Sequence, residues 1–151
     1  MTDDRTLVIR RVLDAPRELV FAAWVDRAQA ARWWGPRGFA SVSCAMDVRV
    51  GGEWRRVMRS PEGSEHRSRG VYREIIEPER LVFTFSWEKG ASPGHGPETL
   101  VTLTFGDLGD QRTELILRQQ GFDTVAGRDD HHRGWSSALD RFAEYLTQHR
   151  K

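Results

Sequence analysis

Two residues with charged or titratable side chains lie on faces of predicted elements that should be apolar. The first is Arg56. In the strand-like stretch GEWRRVMR, alternation puts Trp54, Arg56 and Met58 on one face, and the two apolar residues mark that face as inward. A buried arginine requires a carboxylate partner or an anionic ligand, because an unpaired interior charge is very costly. Glu74 on the next predicted strand is the candidate partner. The competing interpretation is a bulge after the preceding Gly-Gly turn that directs Arg56 outward.

The second residue is His131, at the start of the helix-like stretch HHRGWSSALDRFAEYL. Counting back from Phe142 by the helical repeat reaches Gly134 and then His131, so this histidine shares the covered face. Gly134 costs about 1 kcal/mol relative to alanine inside a helix, which indicates that the sheet or a ligand comes close there. His131 is expected either to close one end of the core through a structural hydrogen bond, the commoner role, or to serve a binding or catalytic site.

Other site chemistries are not favoured. His131 and His132 are adjacent and point in different directions on a helix, and there is no His-Glu-x-x-His motif, so no metal site is predicted. Cys44 is the only cysteine, and its position among small strand residues predicts a buried, unreactive thiol. The loop GASPGHGP, residues 90–97, lacks the Gly-Lys-Ser/Thr of a phosphate-binding loop. The sequence therefore predicts no cofactor.

Composition predicts one ordinary globular domain over residues 1–151. The chain is 38% hydrophobic and 30% charged, and its length is sufficient for a sizeable core. A formal net charge of +1 provides no field that would favour nucleic acid or an anionic membrane as a partner. The start, MTDDR, is unlike a signal peptide, and no apolar run approaches the ~18 residues of a membrane helix. A cytoplasmic location is therefore expected.

The elements that must position Arg56 and His131 follow from periodicity, which predicts a strand, two short helices, six strands and a long helix. Pro16 opens the first helix, DRAQ at residues 26–29 caps the second, and WWGP ends it. From Phe39 the period changes to two at hairpin spacing, which indicates a mostly antiparallel sheet. Only the C-terminal helix is long enough to cover the apolar face of that sheet.

This order, together with WWGP, GGEWRRVM, GVYREIIEPERLVFTFSW and HHRGWSSALDRF, resembles the activator of heat-shock-protein-90 ATPase homologue-like family. That family belongs to the START-like (SRPBCC) helix-grip superfamily. The resemblance implies an α+β fold in which a curved antiparallel sheet wraps around a long C-terminal helix, with a cavity between them. Superfamily members bind lipids, aromatic compounds or hormones there, and some are cyclases or hydrolases. The family tends to have an apolar or aromatic residue where Arg56 stands.

We therefore expect a small-molecule-binding domain whose ligand is apolar or aromatic and, if Arg56 faces the cavity, anionic at one end. The residues expected to line the site are Trp34, Trp54, Arg56, Met58, Tyr72, Glu74, Phe83, Phe85, Trp87, Val101, His131 and Trp135. An enzyme with His131 as general acid or base, assisted by Tyr72 or Glu74, is one alternative. A chaperone cofactor that binds a heat-shock protein 90 homologue is the other; it is suggested only by the family name and is not expected. Whether the chain forms a homodimer stays open.

Overall fold

The structure is a computed structural model that describes residues 5–87 and 98–149. It has the predicted α+β order of elements. In chain order these are β1 (Leu7–Leu13), α1 (Arg17–Val25), α2 (Arg27–Trp33), β2 (Ala40–Met46), β3 (Glu53–Arg59), β4 (Glu65–Ile76), β5 (Arg80–Trp87), β6 (Thr99–Gly109), β7 (Arg112–Gln120) and α3 (Val125–His149). The loop predicted at residues 90–97 lies outside the described residues.

The seven strands form one curved antiparallel sheet in the order β1-β7-β6-β5-β4-β3-β2. The first strand pairs with the last, while β2 is the opposite edge. The two short helices therefore connect the two edge strands of the sheet. The inward faces of the strands and the apolar stripe of α3 share one core, as the helix-grip prediction requires.

The helix ends agree with the predicted caps in most respects. The Asp26 carboxylate accepts hydrogen bonds from the Ala28 backbone N–H at 3.0 Å and from the Gln29 side chain at 3.1 Å, which confirms the start of α2. Gly35, beyond the end of α2, has a left-handed φ of 92°. Pro16 is the N-cap of α1 and not its first helical residue.

Strand β3 confirms the predicted inward face of Arg56. It pairs with β4 without interruption from Glu53, opposite Val71, to Arg59, opposite Glu65. Arg56 is only 5% exposed. A bulge does occur nearby, but it lies in β2 between residues 41 and 43. The alternative in which a bulge turns Arg56 to solvent is therefore wrong.

Helix α3 buries the face that its periodicity predicts, and α1 departs slightly from its prediction. The buried residues of α3 are Trp135, Ala138, Leu139, Phe142, Tyr145 and Leu146. In α1 the sequence pattern places Leu19 in the apolar stripe, but this side chain is 39% exposed. The helix instead buries Phe21 beside Val20 and Trp24, which rotates Leu19 away from the core. No helix within residues 5–87 and 98–149 is long and apolar enough to cross a membrane.

Candidate ligand-binding site

Five of the six tryptophans form one connected aromatic cluster. Trp24, near the end of α1, has its ring centroid 4.5 Å from that of Trp33 and 6.2 Å from that of Trp34. Trp34 lies 6.0 Å from Trp54 of β3 and 5.2 Å from Trp135 of α3. The cluster thus joins both short helices, the sheet and the long helix, and such edge-on ring pairs stabilise a core beyond their area alone.

A cavity lies between this cluster and strands β3 to β5. It is lined by Trp24, Trp34, Trp54, Arg56, Tyr72, Leu81 and Phe83. The space among these side chains is about 230 Å³, counted out to where it meets solvent, but only about 10 Å³ is open to the centre of a water molecule. The cavity as it stands therefore has room for roughly one water. Any larger ligand requires its walls to move apart.

Arg56 is the one charged side chain in the lining. Its guanidinium carbon lies 3.9 Å from the centre of the Trp34 ring, in a cation–π contact. Its Nη2 donates to the Met46 sulfur at 3.5 Å, which is a weak acceptor. Its Nε and Nη1 are buried with no hydrogen-bond partner in the described structure. Burial lowers the pKa of the Arg56 guanidinium from its ordinary value, as expected for a charge held out of water.

Glu74, the predicted partner of Arg56, forms an ion pair with Arg80 instead. The reason is a register shift between β4 and β5, which pair Tyr72 with Phe83 but Glu74 with Val82. The extra residue at position 73 breaks the alternation, so Glu74 no longer shares the inward face of Tyr72. This prediction was wrong because the bulge is not visible in the sequence pattern.

The other polar groups near Arg56 are neutral or partly exposed. Tyr72 is 3% exposed, and burial raises the pKa of its phenol to about 12, so it stays protonated at neutral pH. Cys44 lies opposite Arg56 on β2. The prediction of a buried Cys44 was wrong, because this edge strand leaves the thiol half-buried.

Arg141 of α3 fixes the loop that carries Trp34, and the sequence interpretation missed it. Its Nη1 donates to four backbone carbonyls at 3.0–3.3 Å, those of Trp34, Gly35, Pro36 and Phe39. Carbonyls at a helix end need partners of this kind. Arg141 therefore fixes the backbone from which the Trp34 ring extends to Arg56. The sequence places Arg141 directly before Phe142 of the apolar stripe, but its pattern does not indicate a partner at the helix end marked by WWGP.

Gly70 of β4 makes room for Trp54. The two residues are opposite each other in the β3–β4 register. A Cβ at position 70 would lie 2.5 Å from the Trp54 indole nitrogen and closer still to the Thr84 carbonyl oxygen. Only glycine fits there, and the sequence contained this signal in the GVYRE motif without revealing its purpose.

A continuous chain of hydrogen bonds begins at Trp135 of the aromatic cluster and runs through residues outside the cavity lining. The Trp135 indole donates to Gln119 Oε1 at 2.8 Å, and Gln119 Nε2 donates to the Thr99 hydroxyl at 2.8 Å. Thr99 in turn donates to the Phe85 carbonyl at 2.9 Å. Gln119 is fully buried, although its residue type predicts a surface position. Trp135 and Phe85 are therefore part of a satisfied core network.

His131 belongs to this second region and does not line the cavity of Arg56. Its Nε2 accepts a hydrogen bond from the Trp87 indole at 3.1 Å, and the rings of Phe85 and Phe122 lie 5.5 and 5.0 Å away. Burial lowers the pKa of His131 to about 4, so the imidazole is neutral at pH 7. These contacts match the structural alternative, in which His131 closes one end of the core.

Gly134 faces the ring of Pro36 and not a ligand space. A Cβ at position 134 would lie 3.8 Å from Pro36 Cγ, an ordinary contact distance. The interpretation of Gly134 as room for a ligand or for close approach of the sheet was wrong. Packing against a loop residue far away in sequence is a relation that helical periodicity does not contain.

The structure brings five of the twelve predicted site residues to the cavity and distributes the others around it. The five are Trp34, Trp54, Arg56, Tyr72 and Phe83. Val101 is fully buried in the core, while Met58 and Trp87 are partly buried against it. Sequence reasoning missed Trp24 and Leu81 because their periodicity marks them only as core residues. Within the described ranges, no three His, Cys, Asp or Glu side chains are grouped so as to hold a metal ion.

Comparisons with known proteins agree with this architecture. The profile of the family described as "Activator of Hsp90 ATPase homolog 1-like protein" matches residues 14–147. A solved protein from Chromobacterium violaceum is 28% identical, with a TM-score of 0.80, over 93% of this chain and 95% of that one. The AHSA1 protein from Silicibacter pomeroyi is 27% identical, with a TM-score of 0.82, over 95% and 98% of the two chains. Comparison with curated proteins found no match.

Proposed function

Because the chain belongs to the activator of Hsp90 ATPase homolog 1-like family, whose fold commonly binds hydrophobic ligands, we propose that it binds a small aromatic or apolar molecule with an anionic end. The ligand enters between the sheet and the helices, at the cavity lined by Trp34, Trp54 and Arg56. Aromatic walls with a few directed polar groups are the usual composition of a small-molecule site.

The observation that carries this proposal is the unpaired Arg56. Among the residues that the structure describes, no carboxylate forms an ion pair with it, although it is only 5% exposed. An isolated buried charge is costly, and a protein retains one where a bound group of opposite charge compensates for it. An anionic end on the ligand would supply that compensation, while the aromatic walls contact its body.

The small volume of the cavity requires the protein to open when a larger ligand binds. The α2–β2 loop is held to α3 by Arg141, and the sheet is continuous from β3 to β7. Strand β2 is paired on one side only, and its Met46 contacts Arg56. Movement of this edge strand away from the loop is the opening that we expect, because it breaks the fewest backbone hydrogen bonds.

The test is a titration of aromatic and aliphatic acids, each compared with its neutral amide, followed by tryptophan fluorescence and calorimetry. Phenylacetate, naphthoate and decanoate are suitable probes. We expect one or more acids to bind more tightly than the corresponding amides. Arg56→Leu should weaken acid binding by roughly 10- to 150-fold, the equivalent of a charge-assisted hydrogen bond. If no compound in the panel binds, the proposal fails.

Arg55→Leu is the matched control for this experiment. Arg55 is the neighbouring arginine in the same strand, but it lies on the exposed face. The substitution removes the same charge from the protein without altering the cavity. We expect it to leave acid binding unchanged, so equal weakening by the two substitutions would indicate only a long-range charge effect.

The two alternatives have no comparable support. An acid or base role for His131 requires an imidazole nitrogen near the ligand, but His131 is not among the residues that line the cavity. Its Nε2 accepts a hydrogen bond from Trp87. A chaperone role comes only from the family description, and no contact or surface described above favours it. We expect immobilised protein not to retain a heat-shock protein 90 homologue.

A further inference from the structure

The cavity is surrounded by hydrogen-bond donors that have no acceptor. Five buried N–H-bearing side-chain atoms lack a partner in the described structure, and one of them, Nε of Arg17, belongs to a residue outside the cavity lining. The other four are Nε and Nη1 of Arg56 and the indole nitrogens of Trp24 and Trp54. All three side chains line the same cavity. A buried donor without an acceptor costs about 1–3 kcal/mol, and native proteins contain few of them. Four on one cavity therefore call for a common explanation.

Elsewhere the same fold satisfies its buried indoles. Trp33 donates to the Ala23 carbonyl at 3.2 Å, Trp87 donates to His131 at 3.1 Å, and Trp135 donates to Gln119 at 2.8 Å. Tryptophan packing in this core is thus compatible with complete hydrogen bonding. The exceptions, Trp24 and Trp54, both line the cavity that contains Arg56.

We propose that this cavity is a receptor for a carboxylate-sized monoanion, which accepts hydrogen bonds from Arg56 and from the indole N–H groups of Trp24 and Trp54. The group is either a free small anion or the carboxylate of a larger ligand. The proposal deepens the proposed function by naming the head group that the cavity recognises. It rests on that function only for the second of these two sources.

Charge and size select the chemistry of the group. A carboxylate is an acceptor only, so it complements four donors, whereas a neutral amide or alcohol would direct a donor of its own at some of them. One guanidinium balances one negative charge. The cavity has room for roughly one water, so a carboxylate requires a small opening of its walls. Sulfate would require a wider opening and would bring a second negative charge that no cation in the lining balances.

The direct test follows the indole N–H signals by two-dimensional NMR while sodium formate is added. Sodium sulfate at equal ionic strength is the control salt. We expect the signals of Trp24 and Trp54 to shift and saturate with formate and not with sulfate, because formate accepts their hydrogen bonds. The signals of Trp33, Trp87 and Trp135 serve as internal controls and should not follow. A shift at only one of the two indoles, at neither, or equally at the controls overturns the proposal.

Substitutions at Arg56 then identify the cation. Arg56→Leu should abolish the saturable shift, while Arg55→Leu should retain it with an unchanged midpoint. Arg56→Lys keeps the charge but loses the planar donor pair, so formate binding should weaken by about tenfold or more without disappearing. Retention of the wild-type midpoint in folded Arg56→Leu protein would overturn the assignment.

Failure of this inference differs from failure of the proposed function. If formate binds but none of the aromatic or aliphatic acids does, the cavity is an anion site and the proposed function is wrong. If acids bind more tightly than their amides and Arg56→Leu weakens that binding, but formate shifts no indole signal, the proposed function stands and the anion receptor formed with the two indoles is wrong.

Discussion

Around Gln119 every polar group of a four-residue chain has a partner, whereas around Arg56 four buried donors have none. Both regions belong to the same core, and both place a polar side chain from the sheet against tryptophan rings. The Gln119 region also lies beside the Trp87–His131 bond, where the imidazole accepts from an indole. One region is complete within the described residues, and in the other the four donor atoms have no acceptor there.

This difference separates structural polar groups from site-forming ones. A satisfied buried network adds rigidity and specifies a single arrangement of the core. An unsatisfied network lowers the stability of the protein until a ligand binds. The free energy of binding then includes the gain from the hydrogen bonds that the unpaired donors form with the ligand. We infer that stability resides mainly at the Gln119–His131 end and ligand recognition at the Arg56 end.

The largest expected effect tests the stability of the first region. Trp135→Ala should reduce the free energy of unfolding by about 3–5 kcal/mol, because it removes a buried ring and strands the Gln119 carbonyl oxygen. Urea denaturation followed by circular dichroism measures this change. The free energy of unfolding of Trp135→Phe should lie between those of Trp135→Ala and the wild type, since phenylalanine keeps a ring but loses the hydrogen bond. A loss below about 1 kcal/mol for Trp135→Ala would place the stable region elsewhere.

A second prediction concerns the pH dependence of the same region. His131 has a pKa of about 4 in the folded protein, against 6.5 ordinarily. Between these values the unfolded chain binds the proton and the folded protein does not, so stability is present above pH 6.5 and falls as the pH drops towards 4. We expect a loss of about 1–3 kcal/mol.

The measurement is urea denaturation across that pH range, with two variants. In His131→Gln the amide oxygen can still accept from Trp87 but does not titrate, so this part of the pH dependence should vanish. His132→Gln changes the exposed neighbour and should behave like the wild type. Equal curves for wild type and His131→Gln would show that His131 is not held neutral by the fold.

The third prediction is that a substitution of the buried Arg56, unlike most core substitutions, does not lower the stability of the protein. Arg56→Leu should leave thermal stability unchanged or raise it by about 1–3 kcal/mol, because it removes an unpaired buried charge. The lost cation–π contact with Trp34 opposes this gain. Calorimetry without added ligand is the measurement. Strong destabilisation would reveal a structural partner for the guanidinium and remove the contrast between the two regions.

The smallest expected effect concerns Gly134, where α3 faces Pro36 of the α2–β2 loop. Gly134→Ala should stabilise the protein by about 0.5–1 kcal/mol, because alanine favours the helix and its Cβ would lie 3.8 Å from Pro36. Thermal denaturation detects a change of this size. Ligand binding should not change. Weaker binding or lower stability would restore the interpretation in which Gly134 makes room for a ligand.

Much of the fold and five of the seven residues that line the cavity could be predicted. Strand β5, Arg80–Trp87, coincides with the stretch RLVFTFSW, in which the alternation of the two faces is uninterrupted. The cavity residues that were found, such as Trp54 and Phe83, lie on strands where a period of two assigns the face directly. Those that were missed, Trp24 and Leu81, are indistinguishable by pattern from ordinary core positions.

What the sequence by itself determined was the order of the elements and the face of each regular residue, including the inward direction of Arg56. These are local properties, set by periods of two and 3.6 residues along one segment. Tertiary structure alone decided which groups meet: a bulge removed Glu74 from Arg56, Pro36 came to rest beside Gly134, and Trp87 took the lone pair of His131. Such meetings depend on register shifts and on packing between distant segments. For that reason the sequence pattern predicts that Arg56 is buried, whereas only the folded structure shows that its guanidinium has no acidic partner.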